Sequence, residues 1–555
     1  MTFAPHPVPE NRHVIEANTG SIDPDAADGW SGARTNRKNQ LIAPLAKGSQ
    51  NAANYKRTFW KVLYKLNVVG ILLVAMVTAF FYYIAWSVAC NETYAIEYEG
   101  HVLWACLKLS QGQNIYDAAA LVSQPWSVII YNPLYFLIGA GLLKMTGLSF
   151  APLRGLSMLS TLLSFLGFLI LLRRSKLNQF QSIIGLILFA TCLPVIHWSP
   201  VARVDMLGLC LAIGGMERFV AAFINAKWKD VKFSSMLPSL LLFLLAFFTK
   251  QQYIVFPLSC FAFLLLQRQF RIGFQFTGLY LATSLAVASV IQLATGGYWA
   301  HLMYAKGLPW EWSTLKSFIV PFLLEPKTIA ALLVIGCGSI LSKRRTRQED
   351  LAGLLLAISF VVVLYSMGLR AAYHNHLLCT EMALFWLAAI NLKKLGHRSP
   401  LPAIVVVAAF LGLITCLEFM SLLCWRISTN QNTAQVLAHL NHFQMRGKPI
   451  LTEDPALALF VGAVPVMIDA TTILNMARAE PKRLSSLLSD IEHTKYAAII
   501  IDSKDANLGR ARIWPKAVVD TTWQKYKLIG TTGGNGTKQS VFLPVKTEDS
   551  PSPAN

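Results

Sequence analysis

The chain has 555 residues, 54% of them hydrophobic and only 14% charged, with a formal charge of +20 at pH 7. That balance is the one polytopic membrane proteins have, and it excludes an ordinary soluble enzyme. The basic surplus does not point to a nucleic-acid partner, because it stands in short clusters between apolar runs, at 173–176, 227–232, 268–271, 343–347 and 393–394. Clusters so placed mark cytoplasmic loops.

Residues 1–55 are rich in Pro, Asn, Gly, Ala and charge without apolar periodicity, which predicts a disordered cytoplasmic tail and no signal peptide. A first span runs from about 66 to 88 behind Lys56, Arg57, Lys61 and Lys65, so the amino terminus is expected in the cytoplasm. The first outer loop, 90–152, opens with two closely spaced carboxylates, Glu97 and Glu99, and continues into an amphipathic stretch through Leu109. Acids where a span meets water, followed by a helix able to lie in the interface, are a costly arrangement. Residues 132–146 are apolar but short and hold Pro133, Gly139, Gly141 and Lys144. If they crossed fully, most later basic clusters would lie outside, so they read as an interfacial or re-entrant helix.

Spans then fall near 153–172, 180–199, 206–224, 236–250, 252–267, 274–295, 317–341, 351–369, 377–391 and 403–424, about eleven with the first. A polar break at Thr249, Lys250, Gln251 and Gln252 separates two short ones. Together, 56–425 read as an α-helical membrane domain. Residues 426–545, with polar helices and β-branched runs such as 497–501, read as a small soluble α/β domain on the outer face, and 546–555 as a frayed tail. Most of the nine cysteines lie inside apolar runs, without a CxxC pattern or a disulfide framework.

This topology gathers polar residues from separate loops on one side: Glu97 and Glu99, Arg203 and Asp205, Lys250 with its two glutamines, His301 and Lys306, then Arg370, His374, Asn375 and His376. Transfer of a sugar from a lipid-phosphate donor needs a carboxylate to take the acceptor's proton and cations to hold the departing phosphate. Simpler readings exist for each: solvated loop acids at Glu97 and Glu99, a snorkelling lysine at Lys250, a local ion pair at Arg203 and Asp205. His374 and His376 have no third partner in the sequence that would make a metal site.

At these residues the chain resembles the C-type polytopic glycosyltransferases that use polyprenyl-phosphate sugars, among them protein O-mannosyltransferases and lipid A aminoarabinose transferases. The segments that carry the likeness are EYEG, QGQNIY, YNPLY, APLRGLS, ARVD, FFTKQQ and HNHLLCTE, in this order, over roughly residues 60–425. The resemblance implies a base in the first outer loop, usually Asp. Glu97 takes that position counting back from Gly112, with Glu99 two residues on, and either could serve. It further implies donor-phosphate contacts from Lys250 and Arg203, with Arg370 beside them, and an acceptor pocket shaped by Asp205, His374, Asn375, His376 and Tyr131. Members differ in whether they bind a divalent metal. The implied partners are the polyprenyl-phosphate sugar, the bilayer and a glycan, lipid or protein acceptor, in a bacterial inner (plasma) membrane. The rival classes are a lipid or solute transporter, which places ionisable groups at mid-membrane on paired broken helices, and a non-catalytic scaffold, which would tolerate loss of Glu97 and Glu99.

Overall fold

The computed structural model describes residues 69–70, 72–90, 99–223, 231–304, 309–342, 345–369, 372–395, 434–438, 440–468, 481–502, 514–531 and 539–545. All of them belong to one compact unit, Val69–Asn555. The expected terminal tails, the span at 403–424, and Glu97, Lys306 and Arg370 lie outside the described residues.

Fifteen α-helices lie between residues 72 and 395 among the described residues: α1 (Leu72–Cys90), α2 (Gly100–Ser110), α3 (Leu134–Thr146), α4 (Ala151–Arg174), α5 (Gln179–Ala190), α6 (Leu193–Trp198), α7 (Val204–Phe223), α8 (Leu237–Thr249), α9 (Val255–Leu266), α10 (Phe270–Thr295), α11 (Tyr298–Tyr304), α12 (Trp312–Leu324), α13 (Pro326–Leu341), α14 (Arg347–Ser366) and α15 (Leu378–Leu395). Of these, α1, α4, α7, α10 and α14 are long and apolar enough to cross a membrane. Their outward faces are apolar as well: on α10, Leu285 is 62% and Leu293 86% exposed. Apolar surface on that scale is stable only against lipid. The protein is an integral membrane protein.

Two expected spans are broken. The run 317–341 is two helices, α12 and α13, bent by 63°. The break falls at Glu325 and Pro326, because proline has no N–H to continue the ladder and disfavours helix in the residue before it. The run 180–199 breaks at Thr191 and Cys192 ahead of Pro194, leaving α5 at about 18 Å, short of a bilayer core. Residues 134–146 form the short helix α3. A Cβ at Gly139 would overlap the Cys106 sulfur, so the missing side chain is what lets α2 and α3 approach. Helix starts follow their caps: Asn178 with Gln181 at α5, and Thr346 with Glu349 at α14, both form capping boxes.

The basic residues gather at one end of the bundle. Arg174 and Arg218 meet Glu217, Lys394 meets Glu349, and Lys393 donates to the Lys176 carbonyl. The opposite end is capped by a small mixed sheet, ordered β2-β1-β3-β5-β4. In chain order its parts are β1 (Pro449–Thr452), α16 (Pro455–Phe460), β2 (Val464–Pro465), α17 (Pro481–Glu492), β3 (Ala498–Asp502), α18 (Lys516–Lys525), β4 (Tyr526–Thr531) and β5 (Gln539–Pro544). β1 runs parallel to β2 and β3, while β5 runs antiparallel to β3 and β4. The apolar run of β3 is buried on both faces, its Ile499 and Ile501 in one core and Ala498 and Ile500 in another.

This sheet domain is stitched to the loop between α2 and α3. The Trp126 N–H donates to the Val466 carbonyl at 3.0 Å and its carbonyl accepts from Ile468 N at 2.9 Å, extending the edge beyond β2. Gln124 adds bonds to Asp490 (2.8 Å) and to the Tyr496 hydroxyl (2.9 Å).

Candidate active site

The polar break after α8 is the geometric centre of the site. Helix α8 ends at Thr249, and Lys250 takes an extended backbone (φ −151°, ψ 125°) before a 3-10 turn leads into α9. Lys250 is thereby turned inward, 3% exposed, rather than snorkelling to water. Its ammonium donates to Asp205 Oδ1 at 2.7 Å. Asp205 lies in the first turn of α7, where the helix's free N–H groups favour a carboxylate. The same oxygen accepts from Asn375 Nδ2 at 2.9 Å, and Arg203 Nε is 3.8 Å from Oδ2. Tyr253 donates to the Asp205 main-chain carbonyl. Its ring occupies the space that a side chain at Gly208 would fill.

Arg203 is held between aromatic faces. Its guanidinium donates to the Tyr131 hydroxyl at 2.7 Å and lies 5.4 Å from that ring and 5.2 Å from Trp198. Such stacking favours arginine over lysine. Tyr131 is fixed in turn, since its carbonyl accepts from the Tyr116 hydroxyl at 2.7 Å. Next to it, Asn132 donates to the Phe247 carbonyl and accepts from Tyr298 at 2.6 Å. Five residues named from sequence, Tyr131, Arg203, Asp205, Lys250 and Asn375, therefore meet in one place. His376 joins them: burial first, then the positive charge of Lys250, pushes its imidazole down to about 3, so it is neutral at physiological pH. Gln252 holds the His376 carbonyl at 2.7 Å.

The remaining named residues go elsewhere. His374 stacks with His197, Trp198 and Tyr373 at 4.4–5.8 Å between centroids, behind Arg203. His301 accepts from Ile129 N at 3.1 Å and bonds the Asp117 carbonyl at 2.9 Å, tying α11 to the loop. Glu99 is fully buried and accepts from Arg154 Nε (3.1 Å), Arg154 NH2 (2.6 Å) and the main-chain N–H of Ala202 (2.5 Å). Those three donors occupy both of its oxygens. Its surroundings favour a different task from the one expected: fixing Ala202, and with it Arg203. Its partner Arg154, in the first turn of α4, stands 55 positions away in the sequence, so the pairing leaves no local signal.

Two cations thus face one carboxylate in a largely buried space, a local positive surplus among the described residues. Around them, five buried polar atoms have no hydrogen-bond partner among the described residues: Trp198 Nε1, Asp205 Oδ2, Gln251 Oε1, Asn375 Oδ1 and His376 Nδ1. Buried polar atoms are nearly always satisfied in proteins, so a cluster of orphans marks a place built for a polar ligand. Among the described residues, no three His, Cys, Asp or Glu side chains come together to hold a metal ion.

The fold is shared with solved structures of membrane proteins at low sequence identity. The chain is similar to the aminoarabinose transferase ArnT from Cupriavidus metallidurans, solved bound to undecaprenyl phosphate, with a TM-score of 0.58, 12% identity and coverage of 87% of this chain and 99% of that one. It is also similar to the Archaeoglobus fulgidus oligosaccharyltransferase in its apo form, with a TM-score of 0.51, 10% identity, and 87% and 75% covered. No protein-family model and no curated protein matches the sequence.

Proposed function

We propose that the protein is a membrane glycosyltransferase that moves a sugar from a polyprenyl-phosphate donor to an acceptor on the extracytoplasmic face. The observation that carries this reading is the buried Lys250–Asp205–Arg203 cluster, with its surplus positive charge and five orphaned polar atoms. Its placement opposite the basic end of the bundle supports an outward-facing site, an inner-membrane location and a cytoplasmic amino terminus. The similarity to ArnT, solved with undecaprenyl phosphate, supports the lipid-phosphate donor.

In the proposed reaction a carboxylate takes the proton from the acceptor's hydroxyl or amine. The freed lone pair attacks the anomeric carbon, and the bond from that carbon to the phosphate oxygen breaks. Its electrons leave with the polyprenyl phosphate, whose charge Lys250 and Arg203 neutralise. We assign the base to Glu97, since Glu99 is committed to Arg154 and Ala202. Asp205 sets Lys250, while Asn375, His376 and Tyr131 shape the pocket; Arg370, by sequence position, is assigned to the phosphate side.

The test is transfer of labelled sugar from polyprenyl-phosphate donors to a membrane extract. Glu97→Gln is expected to abolish transfer in a protein that is still folded. Glu99→Gln is expected to lower stability as well as rate. Activity from wild type with none of the donors, or full activity in Glu97→Gln, would overturn the reading and its base in turn, and bring the transporter and scaffold classes forward.

A further inference from the structure

Two separate seams run from the sheet domain into the membrane bundle, and both end on Arg203. In the first, Asp454 follows β1 and caps α16, its Oδ1 accepting from Ala456 N at 2.9 Å. The same carboxyl rests on the first turn of α2, where a Cβ at Gly100 would overlap it. The residue before Gly100 is Glu99, which accepts from Ala202 N at 2.5 Å, and the next residue is Arg203. In the second seam, Gln124 and Trp126 bind the sheet domain, and the chain continues through Ile129 and Ile130 to Tyr131. Ile130 is held on the way by Gln251 (2.8 Å), and the Tyr131 hydroxyl accepts from Arg203 at 2.7 Å.

We propose that Asp454 is a positioning residue: by its shape and hydrogen bonding it seats the start of α2, so that Glu99 holds the Ala202–Arg203 segment in register with Tyr131. The sheet domain is then a structural part of the cationic site and more than a cap above it. Charge is not what acts. Burial pushes the Asp454 carboxyl up to about 7, with the Ala456 N–H opposing and Glu99 adding to it, and a neutral side chain of the same shape suits the place. The inference does not depend on the transferase reading, and its test does not use transfer.

The experiment is amide hydrogen exchange on the full chain in lipid nanodiscs, following the segments 199–205, 126–132 and, as reference, α10. Asp454→Leu, which loses the cap and the fit, is expected to raise exchange at 199–205 by tenfold or more while α10 keeps its wild-type protection. Gly100→Ala, which forces the same seam apart from the membrane side, is expected to do the same. Asp454→Asn, which keeps shape and cap, is expected to match wild type. The proposal is overturned if Asp454→Leu and Gly100→Ala leave 199–205 unchanged, if exchange rises equally in α10, or if Asp454→Asn opens the segment as Asp454→Leu does.

Discussion

At the scale of single residues, the buried Lys250–Asp205 pair makes a sharp energetic demand. Each ion was taken out of water at a cost of several kcal/mol, offset chiefly by the other, with Arg203 and Asn375 adding to it on the Asp205 side. Removing one partner leaves the other uncompensated, so Lys250→Met and Asp205→Asn are each expected to cost about 3–5 kcal/mol. The double variant should recover much of that stability in thermal unfolding, while transfer stays lost in all three; full additivity of the two single losses would show that the pair does not act as a unit. His376 gives a pH dependence. Its folded-state pKa lies near 3, below the ordinary value for histidine, so the folded protein binds fewer protons there than the unfolded chain. Stability from this group is complete above about pH 6.5 and is lost as the pH falls, by about 1.4 kcal/mol per unit well below that value. His376→Gln should flatten the decline in thermal stability between pH 6.5 and 4.5, and a decline of unchanged slope would remove His376 as its source.

At the scale of elements, what was legible followed from local pattern. The apolar runs that became α1, α4, α7, α10 and α14 announced themselves by length, and the Lys250 break announced itself by polarity inside an apolar pair. The shortness of α3 was legible in Pro133 before it and in its glycines and lysine. The bend at Glu325 was written as an acid before a proline, yet mean hydropathy passed smoothly over it. There the sequence signal is local while the span pattern averages over about twenty residues, so one hid the other. The energetics at the break fit the bend: Lys327, 1% exposed, pairs with Glu325 at 2.8 Å and donates to the Thr191 carbonyl left open where α5 stops. Two interrupted helices satisfy each other's ends. Packing of α7 against the turn before α9 is equally specific, because Tyr253 lies where a Gly208 side chain would be. Gly208→Ala is expected to destabilise by about 1–3 kcal/mol through overpacking. It should also loosen the Asp205 turn that Tyr253 braces, which a lowered unfolding temperature together with weaker transfer would register; an unchanged unfolding temperature would mean that Tyr253 moves aside freely.

At the scale of the whole molecule, the site was partly legible because its members sit at span ends, and the topology alone brings those ends together. Arg203, Asp205, Lys250 and Asn375 could be gathered that way, and Tyr131 was named only through the family resemblance. What topology could not supply was which polar groups pair. Glu99 looked like a free acid because its partner, Arg154, and its third donor, Ala202, come from distant parts of the chain. Asp454 gave no signal, since its importance depends on a glycine in another domain. Docking of the sheet domain makes a further prediction: Gln124→Leu removes both bonds to the domain and should expose the loop between α2 and α3 to protease several-fold faster, with α4 to α15 resistant as before. A cleavage rate equal to wild type would mean that the Trp126 pairing suffices.

That pairing has a consequence for how the protein comes into being. Trp126 leaves the ribosome about 340 residues ahead of Val466 and Ile468, which complete its pairing. At roughly 5–20 residues per second, tens of seconds separate the two. During that interval the helices can insert and assemble, but the loop that carries Tyr131 has no edge to settle on. On the proposed reading, a chain interrupted before β2 would insert its helices without the edge that Trp126 pairs with, and would be idle in transfer until the sheet domain is made and folds.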